Sequence, residues 1–278
     1  MRDASLNPSF SVSRLAVHLT LWGACALYLV PLLVMLLTSF KTPDDIRTGN
    51  LLSLPDTFTV IGWLKAWDSV GAFFWNSVLI TVPGVLISTF IGALNGYVLS
   101  MWRFRGSQLF FGALLFGCFL PFQVILLPMS FTLGKLGLAN TTSGLVLVHV
   151  IYGLAFTTLF FRNYFVAIPD ALVKAARLDG AGTWQEIVRV LLPIARGGLA
   201  STLLLSLILC WNEAFWSLNL TSSAAAPLTA LVASYSSPEG LFWAKLSAVS
   251  TLACAPILVF GWISQKQLVR GLSFGAVK

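Results

Sequence analysis

Residues 168–193 read Ile168-Pro169-Asp170-Ala171-Leu172-Val173-Lys174-Ala175-Ala176-Arg177-Leu178-Asp179-Gly180-Ala181-Gly182-Thr183-Trp184-Gln185-Glu186-Ile187-Val188-Arg189-Val190-Leu191-Leu192-Pro193, the longest polar interruption in the second half of a very apolar chain. Pro169 and Asp170 predict a helix start, because proline fits the first turn and an acid there favours the positive end of the helix dipole. The short helix carries Ala175 and Ala176 and ends at Gly180, where glycine can take the left-handed conformation that closes a helix. Thr183 and Glu186 have the spacing of a capping box and predict a second helix. That helix would put Trp184, Ile187, Val188, Leu191 and Leu192 on one face, with Gln185, Glu186 and Arg189 opposite. The stretch reads as a two-helix knuckle.

Taken alone, such a knuckle could be an ordinary helical hairpin. Its wording, however, resembles the "EAA" signature of the membrane subunits of ABC importers. That signature runs Glu-Ala-Ala, three residues, Gly, nine residues, Ile, any residue, Leu-Pro. Ala175, Ala176 and Gly180 fit it, followed by Val190 in the isoleucine place, Leu192 and Pro193. Two positions depart from the pattern: Lys174 stands where glutamate is usual, and Gly197 where a second proline often follows. The resemblance implies that 168–193 forms a coupling helix seated in a groove of an ATPase subunit. It assigns that contact to Lys174, Ala175, Ala176, Asp179, Gly180, Ala181, Leu192 and Pro193. With lysine reversing the family's charge, either Asp179 takes over the pairing or this ATPase offers an acid opposite Lys174.

Composition agrees with a membrane chain. Hydrophobic residues make up 57% and charged residues only 10% of the sequence, too apolar for a soluble surface. The charges are clumped, and the gaps are long enough for helices crossing a bilayer core, which takes about 20 residues each. A formal net charge of +7 does not point to nucleic acid. Of the 17 Lys and Arg, 12 fall in residues 1–14, 100–107, 162–196 and 264–278, an alternation that follows the positive-inside rule. Cys25, Cys118, Cys210 and Cys254 each lie alone in an apolar run, without metal or redox spacing.

The expected fold is an all-α membrane protein with six transmembrane helices in one domain, residues 1–278. Spans are expected at about 15–38, 72–99, 108–133, 142–161, 198–220 and 241–264, with the coupling loop between the fourth and fifth. Both termini and the loop would then face the cytoplasm, with 39–70, 134–141 and 221–240 outside. A short interfacial helix is expected around Trp63 to Trp67. Span two is rich in small and polar residues, including Asn76, Ser77, Gly84, Gly92 and Asn95, which allow close helix approach. Prolines 121 and 128 in span three free backbone carbonyls, as tolerated where a helix packs on protein or lines a cavity.

The resemblance extends along the chain. Leu120-Pro121 to Pro128, the turn at 136–142, Trp211-Asn212-Glu213 and the closing residues 267–278 are all similar to the carbohydrate-importing branch. The chain resembles the maltose system's second, six-span permease, and residues 211–239 are closest in wording to sorbitol and mannitol permeases. This implies a sugar or polyol permease in the bacterial inner membrane. Its partners would be a second homologous permease, a dimer of ATPase subunits and a periplasmic solute-binding protein. ATP and Mg would bind the ATPase, with no cofactor in this chain.

The residues themselves carry little other chemistry. No Gly-x-x-x-x-Gly-Lys-Ser/Thr occurs, so an ATP-driven process would need another polypeptide. No metal cluster or nucleophile–base arrangement appears. Glu213 is the one acid well inside a span, which makes it a candidate for the substrate path or a group hydrogen-bonded within the bundle or at the partner interface. Trp211, Asn212 and Trp216 could hold a polyol through amide bonds and flat apolar faces, or form an aromatic belt. An ion-coupled secondary carrier is the alternative reading, resting thinly on Glu213 and His149. A membrane-embedded enzyme lacks any catalytic constellation.

Overall fold

The computed structural model describes residues 12–50, 52–102, 104–222, 224–235 and 243–272. Arg2, Arg103, residues 223 and 236–240 of the expected 221–240 loop and the closing 273–278 lie outside the described residues. The described chain is helical, without strands. Among the described residues four helices are long and apolar enough to cross a membrane: α1 (Val12–Thr38), α3 (Ile61–Met101), α6 (Thr142–Val166) and α12 (Trp243–Leu272). Two bent pairs would bring the spans to six. These are α4 (Ser107–Phe119) with α5 (Phe122–Lys135), bent by 101°, and α8 (Thr183–Ile194) with α9 (Arg196–Trp211), bent by 84°. Shorter helices are α2 (Pro43–Thr48), α7 (Asp170–Leu178), α10 (Phe215–Leu220) and α11 (Leu228–Ser234).

Contacts divide the chain into two compact units, one within Met1–Trp67 and Ser237–Thr251, the other within Asp68–Ser236 and Leu252–Lys278. In the first, Thr42 caps α2 through a capping box with Asp45, and Pro43 opens its first turn. This helix lies in the stretch read as a loop, although Thr42-Pro43-Asp44-Asp45 carried the signal for it. Lys41 is buried and donates from Nζ to the Asn50 carbonyl at 2.9 Å and to Ser53 Oγ at 3.1 Å. Trp63 donates from Nε1 to Ser39 Oγ, so the expected interfacial helix is the opening of α3. At 41 residues α3 is about 60 Å long, roughly twice the apolar core of a bilayer.

The second unit is built on a seam between α3 and α6. Gly84, Ser88, Gly92 and Gly96 recur every fourth residue on α3 and meet His149, Gly153, Thr157 and Phe161 on α6. The pairs advance together, so the two helices run parallel. A methyl group on Gly92 would collide with Thr157, and one on Gly96 would sit 2.6 Å from Phe161 Cβ. Thr157 Oγ1 donates across the seam to the Ser88 carbonyl at 2.9 Å. Small residues at this spacing draw two backbones together, which is how helices gain contact where lipid offers no hydrophobic drive.

The third and fifth expected spans are not continuous helices. Pro121 supplies no N–H, and Leu120 and Pro121 are both extended (ψ 129°), so α4 and α5 part at a sharp angle. α9 stops at Trp211, and the chain passes through Asn212, Glu213 and Ala214 before α10 begins. α6 in turn runs past the expected end at 161 to Val166, where Arg162 lies over the Phe111 ring.

Candidate functional site

Two places in the second unit hold a break in a helix closed by a glutamate. The first is the knuckle. α7 starts after Pro169 and ends in a Schellman motif, with Gly180 N–H bonded to the Arg177 carbonyl and Ala181 N–H to that of Ala176. Gly180 has φ +81°, a conformation favouring glycine. The knuckle rests on a buried cluster of Tyr97, Phe161, Phe165, Ile168, Val173, Ile187 and Leu191, with Leu192 packed against it.

Of the expected contact residues, Lys174, Ala175, Asp179 and Pro193 are exposed, whereas Ala176 and Ala181 are half-buried. Leu178, unremarked in the sequence, is 89% exposed at the tip of α7. The second limb differs from expectation. Residues Glu186–Leu191 wind as a π-helix, which stacks i and i+5 on one face. Glu186 therefore turns inward with Ile187 and Leu191, and Trp184 and Val188 are exposed instead of forming the apolar stripe. No Thr183–Glu186 capping box forms; Gln185 Oε1 accepts from Gly182 N–H.

The buried Glu186 carboxylate meets Arg177 in a fork. Nε donates to Oε2 at 2.8 Å and Nη2 to Oε1 at 3.1 Å. This hydrogen-bonded carboxylate holds the Arg177 guanidinium still further above the ordinary arginine value, and the Tyr97 hydroxyl adds to the hold. Two-pronged pairing of this kind fixes orientation as well as charge.

The second place is the break after Trp211. Glu213 Oε1 accepts from Trp216 N–H at 2.8 Å, and Oε2 from Ser217 N–H and Oγ at 3.3 and 3.2 Å. The carboxylate thus serves the orphan amides at the start of α10. His149, buried, donates from Nδ1 to the Leu145 carbonyl at 2.7 Å, and its Nε2 lies 3.8 Å from Glu213 Oε2. Trp211 is buried, donating from Nε1 to the Ala253 carbonyl and meeting the Phe74 ring edge-on. Asn212 is exposed and donates to the Ile208 carbonyl at 2.9 Å. The segment beyond is tied down by Thr229 Oγ1 to the Glu213 carbonyl, Ser77 Oγ accepting from Leu228 N–H, and Asn76 donating to the carbonyls of Ala224 and Ala226. Among the described residues no group of His, Cys, Asp and Glu could hold a metal ion.

Residues 84–273 match the family described as binding-protein-dependent transport system inner membrane component, which covers the knuckle, the break and most of the seam. The chain belongs to this family. The permease is 31% identical over 265 residues to a diacetylchitobiose uptake system permease protein of Streptomyces coelicolor, covering 94% of this chain and 87% of the relative. It is 30% identical to the multiple sugar-binding transport system permease protein of Streptococcus mutans, covering 94% and 95%. A trehalose transport system permease protein of Mycobacterium tuberculosis is also 30% identical, with 90% and 92% covered. The fold of the present chain matches a chain in the crystal structure of a bacterial ABC transporter involved in the import of the acidic polysaccharide alginate, with TM-score 0.79, 24% identity and 94% and 99% coverage. These relatives are permease subunits, so this inner-membrane chain is a transport component rather than an enzyme.

Proposed function

We propose that this permease forms half of the channel of an ATP-driven importer for a sugar or polyol. Its partners are a second permease, a pair of ATPase subunits that bind ATP and Mg, and a solute-binding protein outside. The observation that carries this reading is the knuckle in a chain of this family: a rigid, Schellman-closed α7 whose Leu178, Lys174, Ala175 and Asp179 face outward. Small residues with one protruding leucine suit a groove, and we assign α7 to docking on the ATPase. Asp179 or an acid on the ATPase opposite Lys174 completes the charge match. Gly180, Ala181, Leu192 and Pro193 shape the turn and its seat. The termini and knuckle then face the cytoplasm, in keeping with the basic segments.

The polyol assignment, sorbitol or mannitol, rests on the wording of residues 211–239. The relatives named above are permeases for diacetylchitobiose and trehalose, and the matching structure belongs to an importer of the acidic polysaccharide alginate, so carbohydrate is the common class. Trp211, Asn212 and Glu213 were candidates for contact with it. Their bonds favour shaping the break, with exposed Asn212 the one left for solute. The test is uptake of labelled sorbitol, mannitol and trehalose into vesicles holding the whole complex, with ATP and with a non-hydrolysable analogue. Leu178→Glu should leave the chain inserted but strip off the ATPase and abolish uptake. Uptake driven by an ion gradient without ATP would overturn the importer reading.

A further inference from the structure

The residues that face outward on α7 cannot move the spans by themselves, because docking energy must reach α3 and α9 through something stiff. The buried cluster beneath the knuckle supplies adhesion, but apolar contact is non-directional and lets helices slide. The Arg177–Glu186 fork is directional. It joins the last turn of α7 to the first turn of the π-helical limb, and Tyr97, near the end of α3, is buried in the same cluster as Val173 of α7 and Ile187 of that limb. Three elements therefore meet at the fork and the cluster beneath it. Glu186 is only 2% exposed and Tyr97 equally so, whereas Arg177 is half-exposed beside the outward face of α7.

The backbone is shaped to place this group. Ordinary α-winding would carry Glu186 away from Leu191, as the sequence pattern expects. The π-helical stretch brings residues five apart onto one face, so Glu186 and Leu191 are buried together. A buried carboxylate is costly unless paired and fully bonded. An apolar residue at 186 would suit the cluster at less cost, so adhesion alone does not account for the charge.

We infer that the Arg177–Glu186 fork, with the Tyr97 hydroxyl, is the transmission strut of this permease. These are positioning residues that turn displacement of the docked α7 into displacement of α3 and α8–α9, and they lie apart from the docking face. The inference rests on the docking role proposed for α7. Loss of the strut leaves the ATPase bound and hydrolysing while the spans no longer follow, so ATP is spent without transport.

The test uses the complete importer in proteoliposomes, with ATPase retention on purification, ATP hydrolysis, and uptake of whichever labelled carbohydrate the unaltered complex accumulates. Glu186→Gln keeps the volume and removes the charge. Arg177→Lys keeps the charge and removes the fork. Both should retain the ATPase, yet raise ATP hydrolysed per solute imported roughly tenfold, the scale of one lost charge-assisted hydrogen bond. Tyr97→Phe should raise it less. A misfolded fraction lowers hydrolysis and uptake together and leaves this ratio unchanged, so an unchanged ratio in Arg177→Lys and Glu186→Gln overturns the strut. Loss of the ATPase from both variants also overturns it, by placing the fork in the docking face. Failure of the docking role itself shows separately, as ATPase retention and normal uptake in Leu178→Glu.

Discussion

At the knuckle a buried carboxylate meets a guanidinium, and at the break after Trp211 a buried carboxylate meets backbone amides. Glu186 and Glu213 do the same geometric job, closing a gap between two helical pieces, with opposite partners. Arg177 is half-exposed, so it can turn to water if Glu186 is lost. The amides of Trp216 and Ser217 are fixed in the backbone of the first turn of α10, where the helix itself offers no carbonyl to accept from them. The stronger pairing is thus at the knuckle, but the greater dependence on one side chain is at the break. A joint that must transmit motion can tolerate a releasable pair; a joint that must stay shut is better held by groups that cannot leave.

Both joints hang on the α3–α6 seam, with His149 near one end and Tyr97 near the other. Gly92→Val should therefore give the largest effect, disturbing both joints at once. Overpacking costs about 1–3 kcal/mol where a neighbour can yield, and here Thr157 backbone as well as side chain blocks the way. The expected result is loss of the ATPase-bearing complex and faster hydrogen exchange at 177–191 and 213–220 together. Disturbance of one joint alone would show that the seam does not link them.

Next in size is the contrast between the glutamates. Glu213→Ala leaves two amides and a hydroxyl without their acceptor, at about 1–3 kcal/mol for each unsatisfied donor that stays buried. Glu186→Ala leaves one guanidinium that water can reach. In thermal unfolding of the detergent-solubilised chain, Glu213→Ala should fall further than Glu186→Ala, with faster exchange confined to 213–220. The reverse order would mean that the charge pair, not the amide cap, is the stiffer joint. Smallest is Asn212→Ala, which removes one exposed bond to the Ile208 carbonyl, worth about 0.5–1.5 kcal/mol at most. It should leave stability and complex assembly nearly unchanged and lower uptake only if Asn212 touches solute.

Much of this was legible in the sequence, for reasons that differ by region. Helical spans follow from apolar length, and the α7 end at Gly180 follows from local backbone chemistry, which needs no tertiary context. The small residues Gly84 and Gly92 announced close packing; Ser88 and Gly96 complete the row, and the partners on α6 recur at the same four-residue step. The two broken spans were harder. Pro121 was visible, but a proline in a membrane helix can kink or break it, and the extended backbone at Leu120 decides which. The break at Glu213 has no glycine or proline to mark it, since a side chain does the work of the missing carbonyls. Glu186 was placed on the wrong face because its burial depends on π-winding, which no 3.6-residue pattern shows. His149 entered the sequence reading only as support for an ion-coupled carrier, since its approach to Glu213 joins α6 to a break far along the chain.

The central claim, that α7 is the ATPase-docking end of an importer permease, is tested most directly by one cross-link. In a chain with Cys25, Cys118, Cys210 and Cys254 replaced, Leu178→Cys places a single thiol at the most protruding apolar position of α7. In intact cells that thiol should be silent to a membrane-impermeant reagent added outside, and in membranes holding the full complex a short bifunctional reagent should join it to the ATPase subunit. Labelling from outside, or a complex that assembles and transports with no such cross-link, would contradict the account.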